Sequence, residues 1–583
     1  MSDSNYWQNM VAQRGVGRRT FLRSAAITGV GAAAFLAGCR STTPTSNVAG
    51  GGGTSTAATA LFRNPAGKDG GTLTEVFGYE PTGFDPHSSP GNGTGPVIEA
   101  NAIKLIRHDY TGIKAPWKNG SETMFMGELA EKWESPDPLT YNFTLRKGIN
   151  WPDQEPMKGK PITAQDVAYT FAHAKTPDAL VQTYVFDPIE KVTAVDDYTV
   201  QFKLKSPNFL FLTGMNTYST QLLPKGIYDW TGPGPWSSDK SRGGGPWILD
   251  DYQPGSFVSY KPNPAYKKVF GVPYGDKMIL KILVGSSALN LQAFVGKQIY
   301  KVGATGGNID AIKKARPDAK SNLDVYAATN TNALFMNTTE KPFDDVRVRR
   351  AISMSVDREG WGKTLQLPYK LESGPITWGF PEWKADISKM PADVQGYLKF
   401  DAAEATKLVQ AAGVPSSASY TIHMYPYNEA YTPEAQFLIN GLQKIGIKST
   451  LKVYDYNNWI ANVYYAPGAD PKAYSGMLYG PDNLDRLQQQ LSDRFLKSSN
   501  RNHSFVADPQ MQQWLVDFAA SKSTEAAKDV ANKIQTRSID QAYAAYRPQP
   551  TSPLFWDPEV QNYEGQTEML YQNSYRDAFL WRA

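Results

Sequence analysis

The fold class is decided by two neighbouring stretches, LTYNFTLRKG at residues 139–148 and PITAQDV at residues 161–167. In the first stretch, aromatic and aliphatic residues occupy every second position, which is typical of a strand with one buried face. In the second stretch, Thr163 and Asp166 have the spacing of a capping box, so a helix is predicted to begin there. A strand followed by a capped helix indicates a mixed α/β protein.

The same two patterns extend along the chain in both directions. Further strands are predicted at 70–77, 198–204 and 447–453, and further helices are predicted to begin at Asp401 and Thr432 and to end before Gly413 and Gly446. The cations from Arg347 to Arg350 are interpreted as a solvated helix face. Because strands and helices alternate throughout, the whole body is expected to be α/β.

The composition predicts a large folded protein and argues against several functional classes. At 583 residues the chain exceeds one ordinary core, so two or three lobes are expected. The net charge is +4, but residues 1–38 carry +3 of it, so the near-neutral remainder gives no electrostatic reason to expect a nucleic-acid partner. None of the five histidines has metal-ligand spacing, and the sequence has no nucleophile, phosphate-binding or dinucleotide motif. We therefore predict a protein that is not an enzyme and has no catalytic residue, no metal and no cofactor.

The first 69 residues are interpreted as an export and anchoring segment. Residues 1–38 have the pattern of a signal peptide of the twin-arginine type, with Arg18-Arg19 before an apolar run that is too short to span a bilayer. The run closes with LAGC at residues 36–39, which resembles a bacterial lipobox, and Cys39 is the only cysteine. Lipidation of Cys39 would anchor the chain, and the stretch 39–69, rich in small and polar residues, is predicted to be a flexible tether. The alternatives are a free cysteine after a plain signal peptide and export by the general secretory route.

Several segments together resemble one protein family, the family 5 extracellular solute-binding proteins, which are the oligopeptide, dipeptide and nickel receptors of ATP-driven (ABC) importers. Each segment alone is short, but their order along the chain matches the family pattern over most of 70–583. The matching segments are 70–74 with 85–87, 129–134, 139–148, 161–167, 245–247, 263–266, 335–338, 342–352 and 357–359.

The resemblance implies a bilobal periplasmic-binding-protein-like fold of class II and of the large, cluster C type. Lobe I would be assembled from 70–105, 223–330 and 553–583, with an inserted subdomain at 106–222, and lobe II from 331–552. A peptide-like ligand would lie in the cleft between the lobes, whose closure the ligand would favour. The receptor would be a monomer in the periplasmic space, anchored to the outer face of the cytoplasmic membrane, and would pass its ligand to permease and ATPase subunits.

The resemblance also suggests residues that contact the ligand. The sequence from Tyr479 to Asn483 resembles the family's GWGPDY loop, whose aspartate pairs with a peptide's α-ammonium in peptide-binding members, and Asp482 occupies that position. Tyr479 and Asn483 replace the aromatic residues of that motif, and Pro-Asp-Asn is also ordinary turn chemistry. Three aromatic residues are further candidates, each also interpretable as packing: Phe77, Tyr79 and Trp378.

The sequence leaves other ligands and classes open. Within the receptor class, an oligosaccharide or another small nutrient is the alternative to a peptide. Outside it, the alternatives are a secreted, lipid-anchored hydrolase and a surface receptor without transport activity, such as a pheromone sensor or an envelope chaperone. Aromatic planes along an open groove would favour a sugar, whereas an enclosed acidic side chain at position 482 would favour a peptide.

Overall fold

The computed structural model describes residues 61–88, 93–108, 125–176, 179, 181, 183–283, 287–326, 332–364, 367–371, 374–426, 430–459, 463–464, 474–480, 487, 489–499, 501–565 and 573–583. Cys39, the predicted signal peptide and most of the predicted tether lie outside the described residues, as do Asp482 and Asn483.

Short strands and helices alternate along the described chain. The strands are β1 Thr72–Phe77, β2 Ile106–His108, β3 Phe125–Gly127, β4 Ala130–Asp137, β5 Thr140–Leu145, β6 Ile189–Asp196, β7 Thr199–Leu204, β8 Trp247–Gln253, β9 Phe257–Pro262, β10 Lys277–Ile282, β11 Lys301–Gly303, β12 Lys320–Asn322, β13 Ala333–Met336, β14 Tyr369–Lys370, β15 Ser419–Met424, β16 Lys448–Val453, β17 Met477–Gly480, β18 Ala544–Tyr546, β19 Gln549–Pro550, β20 Leu554–Trp556, β21 Val560–Gln561 and β22 Trp581–Arg582. The helices are α1 Gly95–Glu99, α2 Ala164–His173, α3 Thr183–Phe186, α4 Phe211–Gly214, α5 Ile227–Thr231, α6 Pro264–Phe270, α7 Ser287–Val295, α8 Ile309–Ala315, α9 Val346–Met354, α10 Arg358–Thr364, α11 Ala392–Gly396, α12 Ala402–Ala411, α13 Tyr431–Lys444, α14 Tyr456–Trp459, α15 Pro509–Ala519, α16 Thr524–Asp540 and α17 Asn573–Arg576.

The stretch that predicted the fold class forms the centre of one sheet. Its alternating residues make β5, which lies between β4 and β7 in the antiparallel order β4-β5-β7-β6. Thr163 caps α2, and its backbone N–H donates to Asp166 Oδ2 at 2.8 Å. The helix packs on this sheet, with Phe171 edge-on to Phe202 at 4.9 Å between ring centroids.

We call lobe I the part built on this sheet and on two others, of order β1-β10-β9-β8 and β11-β20-β12. Strand β20 comes from the C-terminal tail, which returns to lobe I after a long excursion. The tail is held there by Tyr300, whose hydroxyl donates to Asp577 Oδ1 at 2.8 Å, and by Arg316, whose Nη2 lies 2.6 Å from Asp557 Oδ1. Both ends of the described chain therefore contribute to lobe I.

We call lobe II the part built on the five-stranded sheet of order β16-β15-β17-β13-β18. Strand β15 runs parallel to β16 and β17, whereas β13 is antiparallel to β17 and β18. Helices α9, α12 and α13 bury their apolar stripes in a core shared with the sheet, as Val348, Leu438 and Leu442 do.

Two chain segments connect the lobes. One leads from β12 to β13, and the other leads from β18 to β20. The Ser552 N–H donates to the Val325 carbonyl at 2.6 Å, so the two segments are hydrogen-bonded to each other. Motion of one lobe relative to the other must act through these paired segments.

Three local expectations differ from the structure. Residues 61–69 of the predicted tether pack on lobe I, where the Phe62 ring stacks on Phe270 at 4.6 Å. Helix α13 begins at Tyr431, one residue before the predicted Thr432, and Pro433 is tolerated because its position in the first turn needs no N–H donor. Arg349 is 5% exposed and donates to the Phe343 and Gln541 carbonyls, so it is not part of a solvated face.

Candidate functional site

The edge of the lobe II sheet next to the connecting segments brings together three parts of the chain. Strand β17 ends at Gly480, opposite Ala333 of β13, and Ala333 is opposite Tyr546 of β18. Asn332 and Arg547 therefore lie at the same end of the sheet, one residue beyond this row. The segment that carries Asp482 also begins at this end, directly after Gly480.

A buried carboxylate organises this edge. Glu434, in the first turn of α13, is 7% exposed, and its Oε2 accepts hydrogen bonds from the Tyr479 hydroxyl and from Asn332 Nδ2, the latter at 3.2 Å. The Tyr431 hydroxyl donates to Asn332 Oδ1 at 3.2 Å and so orients that amide. Arg547 is the counter-ion, with Nη1 at 3.5 Å from Glu434 Oε1. We call these five residues the Glu434 cluster.

Arg547 is held as a cation although its side chain is only 12% exposed. Burial is the largest single influence and lowers the pKa of Arg547, but the Glu434 carboxylate together with Tyr479 and Tyr431 outweighs it, so that the pKa is raised above its ordinary value. The Nε of Arg547 is buried and has no hydrogen-bond partner in the part of the chain that the structure describes. The guanidinium thus has one long ionic contact and an unused donor, which is an unusual state for a buried arginine.

Tyr479, a candidate ligand contact from the sequence, lies inside the Glu434 cluster. It is 0% exposed, and its ring lies 6.5 Å from Trp361 and 6.0 Å from Tyr431. Burial and the Glu434 carboxylate raise the pKa of Tyr479 well above its ordinary value, so its hydroxyl keeps its proton and remains a donor. In this structure Tyr479 therefore packs within lobe II and positions Glu434.

Trp378, a second candidate, lies beside the connecting segments. Its backbone N–H donates to Gln549 Oε1 at 2.7 Å, and its half-buried ring lies 6.4 Å from the Tyr326 ring. The ammonium groups of Lys370 and Lys384 each lie 5.2 Å from the Trp378 ring centroid, within cation–π range. This aromatic and cationic group is joined to β19 through Gln549, which follows Arg547 by two residues along the chain.

The two candidates at the end of β1 differ in exposure. Phe77 is 4% exposed and belongs to the lobe I core, whereas Tyr79 is 49% exposed, with its ring 6.2 Å from that of Phe77. Tyr79 is thus the accessible one of the pair. Asp482 and Asn483 lie outside the described residues.

Sequence reasoning did not single out Glu434, Asn332, Lys370 or Arg547. Glu434 was only a polar residue between the apolar positions of a predicted helix, and Arg547 follows a strand too short to recognise. The sequence offered only a weak signal for Lys370 and Arg547, since each is a charged residue that directly follows a short apolar segment. Their proximity depends on strand order, which the local pattern does not show.

The described chain has neither a membrane-spanning helix nor a metal-binding cluster of side chains. No helix there is both long and apolar enough to cross a membrane. No group of three or more acidic, histidine or cysteine side chains in the same residues is arranged to hold a metal ion.

Two lobes joined by paired segments, with polar and aromatic side chains beside those segments, define the class of two-lobed binding proteins. The chain belongs to the bacterial extracellular solute-binding proteins of family 5, since the model of that family (its "family 5 Middle" region) matches residues 125–486, more than half of the chain. The predicted family is therefore confirmed.

Two relatives with similar sequences support this membership. The chain is 26% identical over 449 residues to di/tripeptide-binding protein 1 of Pseudomonas aeruginosa, covering 70% of this chain and 78% of that protein. It is 28% identical over 415 residues to the dipeptide-binding protein of Escherichia coli, covering 67% and 73%. Both relatives are named as binding proteins.

Solved structures confirm the predicted bilobal α/β fold. The oligopeptide-binding protein AppA of Bacillus subtilis, in complex with a nonapeptide, matches with a TM-score of 0.70 at 18% identity, covering 89% of this chain and 100% of that chain. AgaA of A. tumefaciens R10, in complex with agropinic acid, matches with a TM-score of 0.69 at 18% identity, covering 88% and 99%. The fold is thus found with ligands of more than one chemical class.

Proposed function

We propose that this protein is the extracytoplasmic receptor of an ATP-driven importer and that it binds a peptide between its two lobes. The observation that carries the proposal is the coincidence, at one edge of lobe II, of the two connecting segments with Arg547, Trp378 and the segment leading to Asp482. A ligand bound there would contact the elements through which the lobes move, so its binding energy would favour closure. The peptide class is supported by the relatives named as dipeptide-binding and di/tripeptide-binding proteins.

Within this proposal, Asp482 pairs with the α-ammonium of the peptide, and Asn483, Trp378 and Tyr79 line the cleft, while Phe77 and Tyr479 support it from beneath. A carboxylate facing an ammonium group is favourable in a partly dry site, because each charge offsets the desolvation cost of the other. We also propose the lobe boundaries expected from the sequence, with 106–222 as an inserted subdomain.

The proposal includes export and anchoring. Lipid attached to Cys39 would hold the receptor at the outer face of the cytoplasmic membrane, where it would meet its permease and ATPase partners as a monomer. Lipidation stabilises membrane association by roughly 0.8 kcal/mol per buried CH₂ group, so two or more acyl chains would suffice.

The ligand class can be tested on the exported protein purified in mild detergent. Native mass spectrometry should show adducts whose masses match short peptides and which are lost on denaturation. An opine-like acid, a sugar or a haem as the retained adduct would contradict the peptide assignment while leaving the receptor class intact.

The role of Asp482 is tested by calorimetry with matched peptides. An Asp482→Ala variant should bind a free peptide pool at least about tenfold more weakly, as expected for a lost charge-assisted pair of about 1.4 kcal/mol or more, and should bind N-acetylated peptides with little change. Equal affinity of the variant and the unmodified protein for free peptides would reject this role.

A further inference from the structure

Helix α7 has an apolar face that is open to solvent. Leu289 is 47% exposed and Val295 is 37% exposed, and Ala288 and Gln292 are exposed on the same side of the helix. Among the described residues, no other helix or strand carries two exposed large apolar side chains. The helix has no charged residue, although the solvent side of a surface helix usually carries several. Scattered exposed apolar residues are ordinary, but residues that share one helix face indicate a contact surface.

The opposite face of α7 already fixes the helix in lobe I. Phe294 is 0% exposed and Ala293 is 5% exposed, and both belong to an apolar cluster with Ile312 of α8 and Phe555 of β20. The Phe294 carbonyl also accepts from Arg316 Nη1 at 2.9 Å, which holds the end of α7 against the end of α8. The core therefore does not depend on the exposed side chains of α7.

The apolar face of α7 has positively charged surroundings. The segment 287–320 contains six lysine and arginine residues but only two carboxylates. Its exposed cations are Lys297, Lys313, Lys314 and Lys320, and its exposed carboxylates are Asp310 and Asp318. Asp318 is already engaged by Arg316 at 3.0 Å. An apolar centre with a cationic rim is complementary to a partner that has an apolar interior and an anionic surface, as a bilayer with anionic headgroups has.

The chain that leads to lobe I limits the distance between this surface and a membrane. The Leu61 N–H donates to the Val269 carbonyl at 3.2 Å, so the described chain enters the folded body at lobe I, which also contains α7. Leu61 follows Cys39 by 22 positions. A segment of that length spans at most about 75 Å when it is fully extended. Lipid on Cys39 would therefore keep lobe I beside the bilayer at a high local concentration, where even a weak surface contact is populated.

We propose that α7 and the lysines around it form a membrane-contact surface, through which lobe I rests on a bilayer that contains anionic phospholipid. The inference rests on the lipid anchor of the proposed function and deepens it, because it gives the anchored receptor an orientation. Leu289 and Val295 would enter the headgroup layer, and Lys297, Lys313 and Lys314 would pair with phosphate groups. Contact through lobe I alone leaves lobe II able to move about the connecting segments.

The test places a reporter dye at single positions of the exported protein, reconstituted in vesicles. Cys39 is the only natural cysteine, and lipid would block its sulfur, so a Leu289→Cys variant takes an environment-sensitive dye at position 289 alone. The vesicles contain phosphatidylcholine with or without phosphatidylglycerol, and a lipid with a nitroxide near its headgroup as the quencher. The dye should be quenched at least about twofold in the anionic vesicles and much less in the neutral ones.

Two further variants separate surface contact from anchoring and folding. A Val453→Cys variant is the matched control, since Val453 is a 54% exposed valine in β16 of lobe II, and its dye should not be quenched. Adding Lys313→Gln and Lys314→Gln to the Leu289→Cys variant should lower the quenching about fivefold or more, because each lysine near an anionic surface strengthens the contact. Peptide retention and the thermal midpoint should not change in this variant, since both lysines are exposed.

The outcomes are distinguishable. Protein that does not float with the vesicles would overturn the lipid anchor and this inference with it. Flotation without quenching at position 289 would overturn the contact surface and leave the anchor in place. Equal quenching at positions 289 and 453 would also overturn it, because the molecule would then have no preferred orientation. Shielding of the dye that requires added permease, or that rises with the density of the protein in the vesicles, would assign the face to a protein partner or to a second copy instead.

Discussion

Glu434 shows how a single residue can hold the cleft edge of lobe II together. It has three partners on three different elements: Tyr479 on β17, Asn332 before β13 and Arg547 after β18. Removing any one of them leaves a buried charge with fewer donors, which costs more than the hydrogen bond itself contributes. The cluster therefore fixes the positions at which both connecting segments leave lobe II.

The first prediction concerns the Tyr479 hydroxyl. Tyr479→Phe keeps the ring in place but removes a donor to a buried carboxylate, so lobe II should lose about 1–3 kcal/mol of stability. The measurement is the urea midpoint of the ligand-free protein. Tyr431→Phe is the matched control, because the Tyr431 hydroxyl donates to a neutral amide, and it should cost less. An equal loss in both variants would contradict the special role of the Glu434 carboxylate.

The second prediction is a pH dependence that arises at His87. Its Nε2 faces the Ser219 carbonyl at 3.0 Å and must carry the proton, so its Nδ1 accepts from His173 Nδ1 at 3.1 Å. Burial, and then the neighbouring His173, lower the pKa of His87 to about 3, although the bond to Ser219 opposes this. The folded state thus favours neutral His87. The resulting stability is fully present above the unfolded pKa of about 6.5 and is lost as the pH falls from there toward 3.

The thermal midpoint should therefore fall between pH 7 and pH 4. His87 should contribute up to about 1.4 kcal/mol per pH unit to the accompanying loss in the free energy of unfolding. His87→Gln, whose amide can still donate to Ser219, should show a shallower fall. Some fall of the thermal midpoint with pH should remain in this variant, because burial also lowers the pKa of His423. Identical slopes in the two proteins would remove His87 as the cause.

At the scale of elements, helix caps that look alike in the sequence differ in their contacts. Asp166 accepts from the N–H of the capping residue Thr163 at 2.8 Å, and Asp401, itself the cap of α12, accepts from the Glu404 N–H at 2.9 Å. Asp166 also accepts from the Lys225 N–H at 2.8 Å and is 7% exposed, whereas Asp401 is exposed. Asp166 thus joins α2 to the chain that precedes α5.

The third prediction follows from this difference. Asp166→Ala leaves two backbone donors without a partner, one of them far away in sequence, and should cost about 2–4 kcal/mol. Asp401→Ala removes one exposed cap and should cost about 0.5–2 kcal/mol. Chemical denaturation of both variants tests the order. If Asp401→Ala lowers the free energy of unfolding more than Asp166→Ala does, the hydrogen bond from the Lys225 N–H to Asp166 contributes nothing to stability.

The elements also show which parts of the fold the sequence could predict. Strand β5, the cap of α2 and the cap of α12 depend on residues within a few positions of one another, so local patterns were sufficient. The burial of Arg349 depends on the Gln541 carbonyl, and the Glu434 cluster depends on which strands are neighbours in lobe II. Such partners are distant in sequence, so no spacing rule could reveal them, and for the same reason Arg547 was overlooked.

At the scale of the whole molecule, a contact among the described residues crosses between the sheet of β5 and lobe II. Phe209 follows β7, and its N–H donates to the Ala519 carbonyl at the end of α15 at 2.9 Å. Its ring lies 6.1 Å from that of Trp383 and 6.4 Å from that of Phe518. The next residue, Leu210, is 3% exposed within the same apolar cluster. This contact is separate from the connecting segments, so it adds a second constraint on the separation of the lobes.

The fourth prediction is that this contact favours the closed arrangement of the lobes. Phe209→Ala removes apolar area that is buried between the sheet of β5 and lobe II, at about 25 cal/mol per Å². Solution scattering of the ligand-free variant should show a larger radius of gyration, and the affinity for short peptides should fall about tenfold, through faster release. Phe400→Ala is the control, since Phe400 is 43% exposed in lobe II, and it should change neither quantity. Phe209→Ala leaves the Glu434 cluster unchanged. If this variant has the same radius of gyration as the unmodified protein, the connecting segments alone set the distance between the lobes.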